Sequence, residues 1–211
     1  MFGTRKTELP GPDDALPGRA SSPHAVGGRH AVLGTPVQTD DVPEGLEVAV
    51  FGLGCFWGEE KTFWEVRGVW STSVGYAGGV SPHPTYSEVC TGRTGHAEVV
   101  RVVFDPQVVT FDDLLAIFWE NHDPTQGMRQ GNDRGTQYRS IILTTSPEQA
   151  EKAERSRERY QQKMTAAGYG KITTAIVPLE EYYYAESEHQ QYLAKNPYGY
   201  CPIHATGVAY E

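Results

Sequence analysis

Hydrophobic and polar positions along the chain follow two periods, and their alternation lays out the elements. The run Leu46-Glu47-Val48-Ala49-Val50-Phe51 suits a strand and is broken by Gly52 and Gly54, which predicts a strand over 46–53. From Cys55 onward Phe56, Phe63, Trp64 and Val66 recur on one broad helical stripe that Gly68 stops, giving a helix over 55–66. Beyond it the pattern predicts strand 69–76, a Gly/Pro-rich loop 77–95, strand 97–104, helix 111–121 and a long loop 122–137. Strand 138–144, helix 147–167 and strand 172–178 complete the series. Thr110 with Asp113 starts the second helix; Ser146-Pro147 and Gly168 bracket the third. The order β-α-β-β-α-β predicts an α+β fold, a two-layer ferredoxin-like (split βαβ) sandwich with an extra helix and strand. Residues 1–44, rich in Pro, Gly and Asp, read as an irregular N-terminal extension, disordered or wrapped around a single domain over 45–211. That domain ends in a long tail with Tyr182-Tyr183-Tyr184, a short helix from Glu186 to Lys195, and Asn196-Pro197-Tyr198-Gly199-Tyr200-Cys201.

Composition narrows the class. With 211 residues and 38% apolar content the chain can bury one sizeable core. A formal charge of −9 and no basic stripe argue against nucleic-acid binding, and the run Glu151 to Arg159 mixes signs as a solvated helix face does. No apolar stretch reaches a membrane span or a signal-peptide core, which points to the cytoplasm. Three cysteines, Cys55, Cys90 and Cys201, are too few for a disulfide scaffold, so a disulfide in that compartment would be transient or catalytic. The seven histidines show no metal-ligand spacing.

Candidate chemistry gathers at a few positions. Cys55 sits where a strand turns into a helix, and the unpaired N–H groups and dipole of a helix start favour thiolate over thiol. Alternation puts Glu98 on the face of Val100, Val102 and Phe104, where loss of hydration favours the protonated form and suits a general acid. The competing placement is the frayed start of the strand, with the carboxylate in water. Tyr86, Tyr138 and Tyr200 are hydroxyl donors in or beside the irregular segments, and Asp133 lies in the polar loop 122–137. Phe56 and Trp57 could wall an apolar pocket or join the core. Cys201, in a Pro/Gly-containing tail, suits a resolving thiol opposite an attacking one, whereas Cys90 reads as structural.

These residues lie inside a longer resemblance. Gly54-Cys55-Phe56-Trp57-Gly58, Gly75-Tyr76-Ala77-Gly78-Gly79, Pro84-Thr85-Tyr86 and Gly95-His96-Ala97-Glu98 resemble the signatures of the class A peptide methionine sulfoxide reductases. So do Trp119 to Gln126, Gly131 to Ser140 and His189-Gln190-Gln191-Tyr192-Leu193, and the match runs from about 46 to 205. Asp14-Ala15-Leu16-Pro17-Gly18-Arg19 resembles the N-terminal arm of longer members. The resemblance implies that Cys55 attacks the sulfoxide sulfur, Glu98 protonates the oxygen, Tyr86 and Tyr138 hydrogen-bond it, and Asp133 helps order the site. It implies that Phe56 and Trp57 hold the ε-methyl group, with Tyr200 beside the substrate, and that 45–211 is the catalytic domain. Cys55 would become a sulfenic acid, and Cys201 would condense with it to a disulfide that thioredoxin reduces. The implied substrate is the S epimer of methionine sulfoxide, free or peptide-bound, with no metal or organic cofactor and a monomeric enzyme. Many longer members carry a second tail cysteine; here the corresponding stretch reads Gly207-Val208-Ala209, so one resolving step is expected. Two other readings stand beside this one: a cysteine hydrolase or acyl transferase with His96 or His122 as base, and a silent module gripping methionine through Phe56 and Trp57.

Overall fold

The computed structural model describes residues 5–11, 13–200 and 204–211. Cys201, the expected resolving thiol, lies outside the described residues. Strands β1 (Glu47–Gly52), β2 (Val69–Ala77) and β3 (Ala97–Phe104) and helices α1 (Phe56–Trp64) and α3 (Phe111–Glu120) fall within two residues of their predicted spans. Between them α2 (Tyr86–Val89) is a single turn inside the loop predicted over 77–95. The loop over 122–137 holds a miniature hairpin, β4 (Arg129–Gln130) and β5 (Asp133–Arg134), followed by a 3-10 turn Thr136–Tyr138. That turn delays the next strand, β6 (Ile141–Thr144), by three residues. After α4 (Pro147–Ala166) come β7 (Ala175–Pro178), β8 (Tyr182–Tyr184) and α5 (Tyr192–Lys195).

The result is a mixed α/β fold built on one six-stranded, mostly antiparallel sheet in the order β7-β6-β1-β3-β2-β8, in which only β6 and β7 run parallel. One face carries the main core. Ala49 and Phe51 of β1, Val100, Val102 and Phe104 of β3 and Ile142 of β6 meet Phe63 of α1, Leu114, Leu115, Phe118 and Trp119 of α3, and Tyr160 and Met164 of α4. Phe51 stacks on Phe63 at 5.1 Å and on Phe111 at 6.0 Å, so the strand before Cys55 is tied to two of those helices. The opposite face buries Val50, Ala77, Ala97, Val99, Ile141 and Leu143.

One tail expectation is corrected. The helix expected from Glu186 to Lys195 survives only as its last turn, because Gln190 and Gln191 are used elsewhere. The Gln190 amide accepts from Val74 N–H at 2.9 Å and donates to Val74 O at 2.8 Å, standing in for a strand neighbour on β2. Gln191 takes a left-handed backbone (φ 49°), and its main-chain N–H donates to Glu60 at 2.6 Å. The triple tyrosine is strand β8, paired with Gly75 to Ala77 of β2. Among the described residues, no helix is long and apolar enough to cross a membrane.

Candidate active site

Cys55 is the N-cap of α1, extended at φ −79° and ψ 118°, and is joined to the end of β1 at Gly52 by Leu53 and Gly54. Gly54 before it has φ +134°, and a Cβ there would lie 2.9 Å from the Gln130 side chain, so only glycine lets loop 122–137 close onto the turn. Glu98, second in β3, faces the same side as Val100 and Val102, and so lies under the start of α1. It is 1% exposed. One carboxyl oxygen accepts from the Phe56 N–H at 3.2 Å; the other, Oε1, is buried without a partner. Burial foremost, opposed by the Phe56 N–H and aided by Asp133, raises this carboxyl to about 8, so it holds its proton at neutral pH. The frayed, hydrated placement is therefore not the one the chain adopts.

The thiol departs from expectation. Burial, foremost, raises Cys55 well above its ordinary value, and Glu98, Glu59 and Asp133 raise it further when they are ionised. The Trp57 backbone N–H pulls the other way, but Cys55 makes no capping hydrogen bond. Desolvation outweighs the helix start, and the resting group is a thiol rather than the expected thiolate.

Tyr86 opens α2, and Tyr138 closes the 3-10 turn. Burial raises both phenols, with Glu98 next in importance for each, and Asp133 and Tyr86 also act on Tyr138; the expected groups share one electrostatic environment. The Tyr86 N–H donates to Glu186 at 2.8 Å, and the other oxygen of Glu186 accepts from the Tyr76 hydroxyl at 2.8 Å. Arg139 donates to Gly78 O at 3.0 Å and Thr136 O at 2.7 Å, which ties the turn carrying Tyr138 to the loop carrying Tyr86. Asp133 accepts from the Tyr200 hydroxyl at 3.5 Å, which brings the tail as far as residue 200 to the site. Phe56 is fully buried with Val74, Tyr76 and Val89, while half-buried Trp57 stacks on Tyr192 at 3.9 Å and donates its indole N–H to His189 at 3.2 Å. Phe56, Trp57, Tyr86 and His189 thus form an aromatic wall beside Cys55.

Both histidines offered as bases are committed elsewhere. His96 Nδ1 accepts from Gly79 N–H at 3.1 Å while its Nε2 donates to Ser81 O at 2.8 Å. His122 donates through Nδ1 to Phe118 O, leaving Nε2 to accept from the Ser140 hydroxyl, each at 2.7 Å. Burial lowers both imidazoles, His122 to about 4. With both ring nitrogens engaged, neither is free to take a proton from Cys55.

Sequence reasoning missed Glu59 and Glu186. Glu59 is buried, accepts from the Leu53 N–H ahead of Cys55 and leaves Oε2 without a partner. Its signal was present: positions 59 and 60 interleave with Phe56 and Phe63 on the apolar stripe of α1, where a carboxylate is costly. Cys90, read as structural, caps the C-terminus of α2 beside the Tyr86 hydroxyl.

Residues 47–209 match the family model described as peptide methionine sulfoxide reductase. The "Peptide methionine sulfoxide reductase MsrA" of Rhodospirillum centenum is 59% identical over 99% of this chain and 94% of its own length. The solved methionine sulfoxide reductase A of Corynebacterium diphtheriae is 54% identical, covers 96% of this chain and 97% of its own, and superposes with a TM-score of 0.87. Mxr1 from Saccharomyces cerevisiae in reduced form is 36% identical over 80% of this chain and 96% of its own, with a TM-score of 0.74. A half-buried thiol at a helix start, a neutral carboxylic acid under it and phenols around both therefore sit in a chain that belongs to the class A peptide methionine sulfoxide reductases.

Proposed function

We propose that Cys55 and Glu98 carry the reductase step on the S epimer of methionine sulfoxide, free or in proteins, and so repair oxidised proteins. The observation that supports this most is the free Oε1 of Glu98: a buried, protonated carboxyl with no partner is poised to donate to an incoming oxygen. Phe56 and Trp57 hold the methyl group, Tyr86 and Tyr138 hydrogen-bond the sulfoxide oxygen, and Asp133 and Tyr200 border the substrate. As Glu98 gives its proton to that oxygen, the Cys55 sulfur bonds to the substrate sulfur. Transfer of the oxygen to Cys55 then releases the thioether, and the thiol proton restores Glu98. Methionine sulfoxide and a thiol become methionine and a sulfenic acid, with atoms and electrons balanced. The Cys201 thiol displaces water from the sulfenic acid, leaving a Cys55–Cys201 disulfide.

Thioredoxin is the proposed reductant; Mxr1 has been solved in complex with Trx2. Residues 45–211 serve as a monomeric catalytic domain working in the cytoplasm, with 1–44 as an extension. The order β6-β1-β3-β2 at the centre of the sheet supports reading it as a split βαβ unit.

The test is turnover of resolved S and R epimers of a blocked methionine sulfoxide, with dithiothreitol and with a thioredoxin system. Activity on the S epimer alone is expected, abolished in Cys55→Ser and lost only with thioredoxin in Cys201→Ser. Turnover that survives Cys55→Ser, or needs no reductant, overturns the scheme.

A further inference from the structure

Residues 14–19 of the N-terminal arm run along the loop that carries Tyr86. The Leu16 N–H donates to Arg93 O at 2.9 Å, the Ser81 hydroxyl to Leu16 O, and the Arg19 N–H to Pro82 O at 3.1 Å. Gly18, at φ +67°, lets the arm press against Pro82, whose carbonyl oxygen would lie 2.5 Å from any Cβ. The contact ends in a bidentate pair: Arg19 donates to both carboxylate oxygens of Glu88 at 2.8 and 2.6 Å, and to His83 O at 2.6 Å.

Glu88 is the third residue of α2, and the same carboxylate accepts from the Thr85 N–H at 2.8 Å and its hydroxyl at 3.0 Å, closing a capping box around the turn that begins at Tyr86. A four-residue helix has no stability of its own, so its geometry is set by whatever holds its cap. Glu186 holds the Tyr86 N–H on one side; Arg19 holds the cap on the other. Arg19, foremost, keeps the Glu88 carboxyl at about 2, so the pair stays charged at neutral pH.

We propose that Arg19 is a positioning residue for the reaction: through Glu88 it fixes the first turn of α2 and thereby the place where the Tyr86 hydroxyl meets the sulfoxide oxygen. The inference rests on the role proposed above for Tyr86.

A double-mutant cycle tests it, with kcat and KM for a blocked methionine-S-sulfoxide under dithiothreitol and Tm recorded for each protein. Arg19→Ala is expected to lose about tenfold in kcat with KM nearly unchanged, because a misplaced hydroxyl costs rate rather than affinity. Tyr86→Phe should lose a similar factor, and the double variant no more than the worse single one. Arg19→Lys should recover part of the loss, since a point charge meets one carboxylate oxygen and not both. Gly18→Ala, which displaces the arm with the guanidinium intact, should behave like Arg19→Ala. Losses that multiply in the double variant, or that merely track Tm, overturn the proposal. A fully active Arg19→Ala beside an impaired Tyr86→Phe overturns this inference alone. A fully active Tyr86→Phe overturns the role of Tyr86 and this inference with it.

Discussion

Glu60 and Glu98 are two buried carboxyls at neighbouring places in the fold, at most 1% exposed, and they are treated in opposite ways. Glu60 is saturated: its oxygens accept from the Thr72 hydroxyl at 3.0 Å, the Gln191 amide at 2.7 Å and the Gln191 N–H at 2.6 Å. Behind Thr72 stands His30 of the N-terminal arm, whose Nδ1 accepts from Val32 and Leu33 N–H groups, so its Nε2 donates to Thr72 at 2.7 Å. This carboxyl thus joins arm, helix α1, strand β2 and tail. Glu98 has one protein donor and one oxygen without a protein partner. Burial raises both, Glu60 to about 7 and Glu98 to about 8, so the shift alone does not separate them. What separates them is hydrogen-bond satisfaction: a buried polar group left without a protein partner costs stability, and for Glu98 the proposed reaction gives that cost a use.

The strongest way to break this contrast is to exchange the carboxyls for amides. Glu98→Gln is expected to slow single-turnover reduction of methionine-S-sulfoxide by about 10² to 10³, the scale of a lost general acid, with the circular dichroism spectrum unchanged. Glu60→Gln should leave the rate within a few-fold; equal losses would erase the distinction. Next in size is Glu60→Ala, which strands three buried donors. At about 1 kcal/mol or more for each, Tm should fall by about 10 °C in a thermal melt, and a shift under about 3 °C would show that the junction is not held there.

The smallest and sharpest effect is in pH. Glu98 keeps its proton between its ordinary value near 4.5 and about 8, a window in which the unfolded chain has released it. Its contribution to stability is therefore whole at low pH and lost as pH rises through that window. Above about 8 the proposed acid has lost its proton. The rate should fall with rising pH along a limb near 8 that is absent in Glu98→Gln, and a limb that persists in that variant assigns the titration elsewhere.

Much of this architecture was legible because its elements obey simple periods. β3 is the predicted strand over 97–104, and the alternation within it put Glu98 on the right face. α4 begins at the capping Ser146 and ends before Gly168, as its punctuation said. Short elements were illegible for a physical reason: Tyr182–Tyr184 is too brief to alternate, and Gln190 and Gln191 abandon the helix for distant partners that local sequence does not encode. The thiol was misjudged for a related reason. A helix start is visible in a sequence; the desolvating, acid-lined surroundings that override it come from β3, α1 and the 122–137 loop folding together.

That protonated thiol has a chemical consequence. Hydrogen peroxide and most electrophilic oxidants react with thiolates and scarcely with thiols. An enzyme whose substrate is made by such oxidants must keep its own sulfur from being spent by them. On the roles proposed for Cys55 and Glu98, a sulfur that stays a thiol until the sulfoxide oxygen takes the Glu98 proton is selective by timing, nucleophilic toward the damage and slow toward its cause.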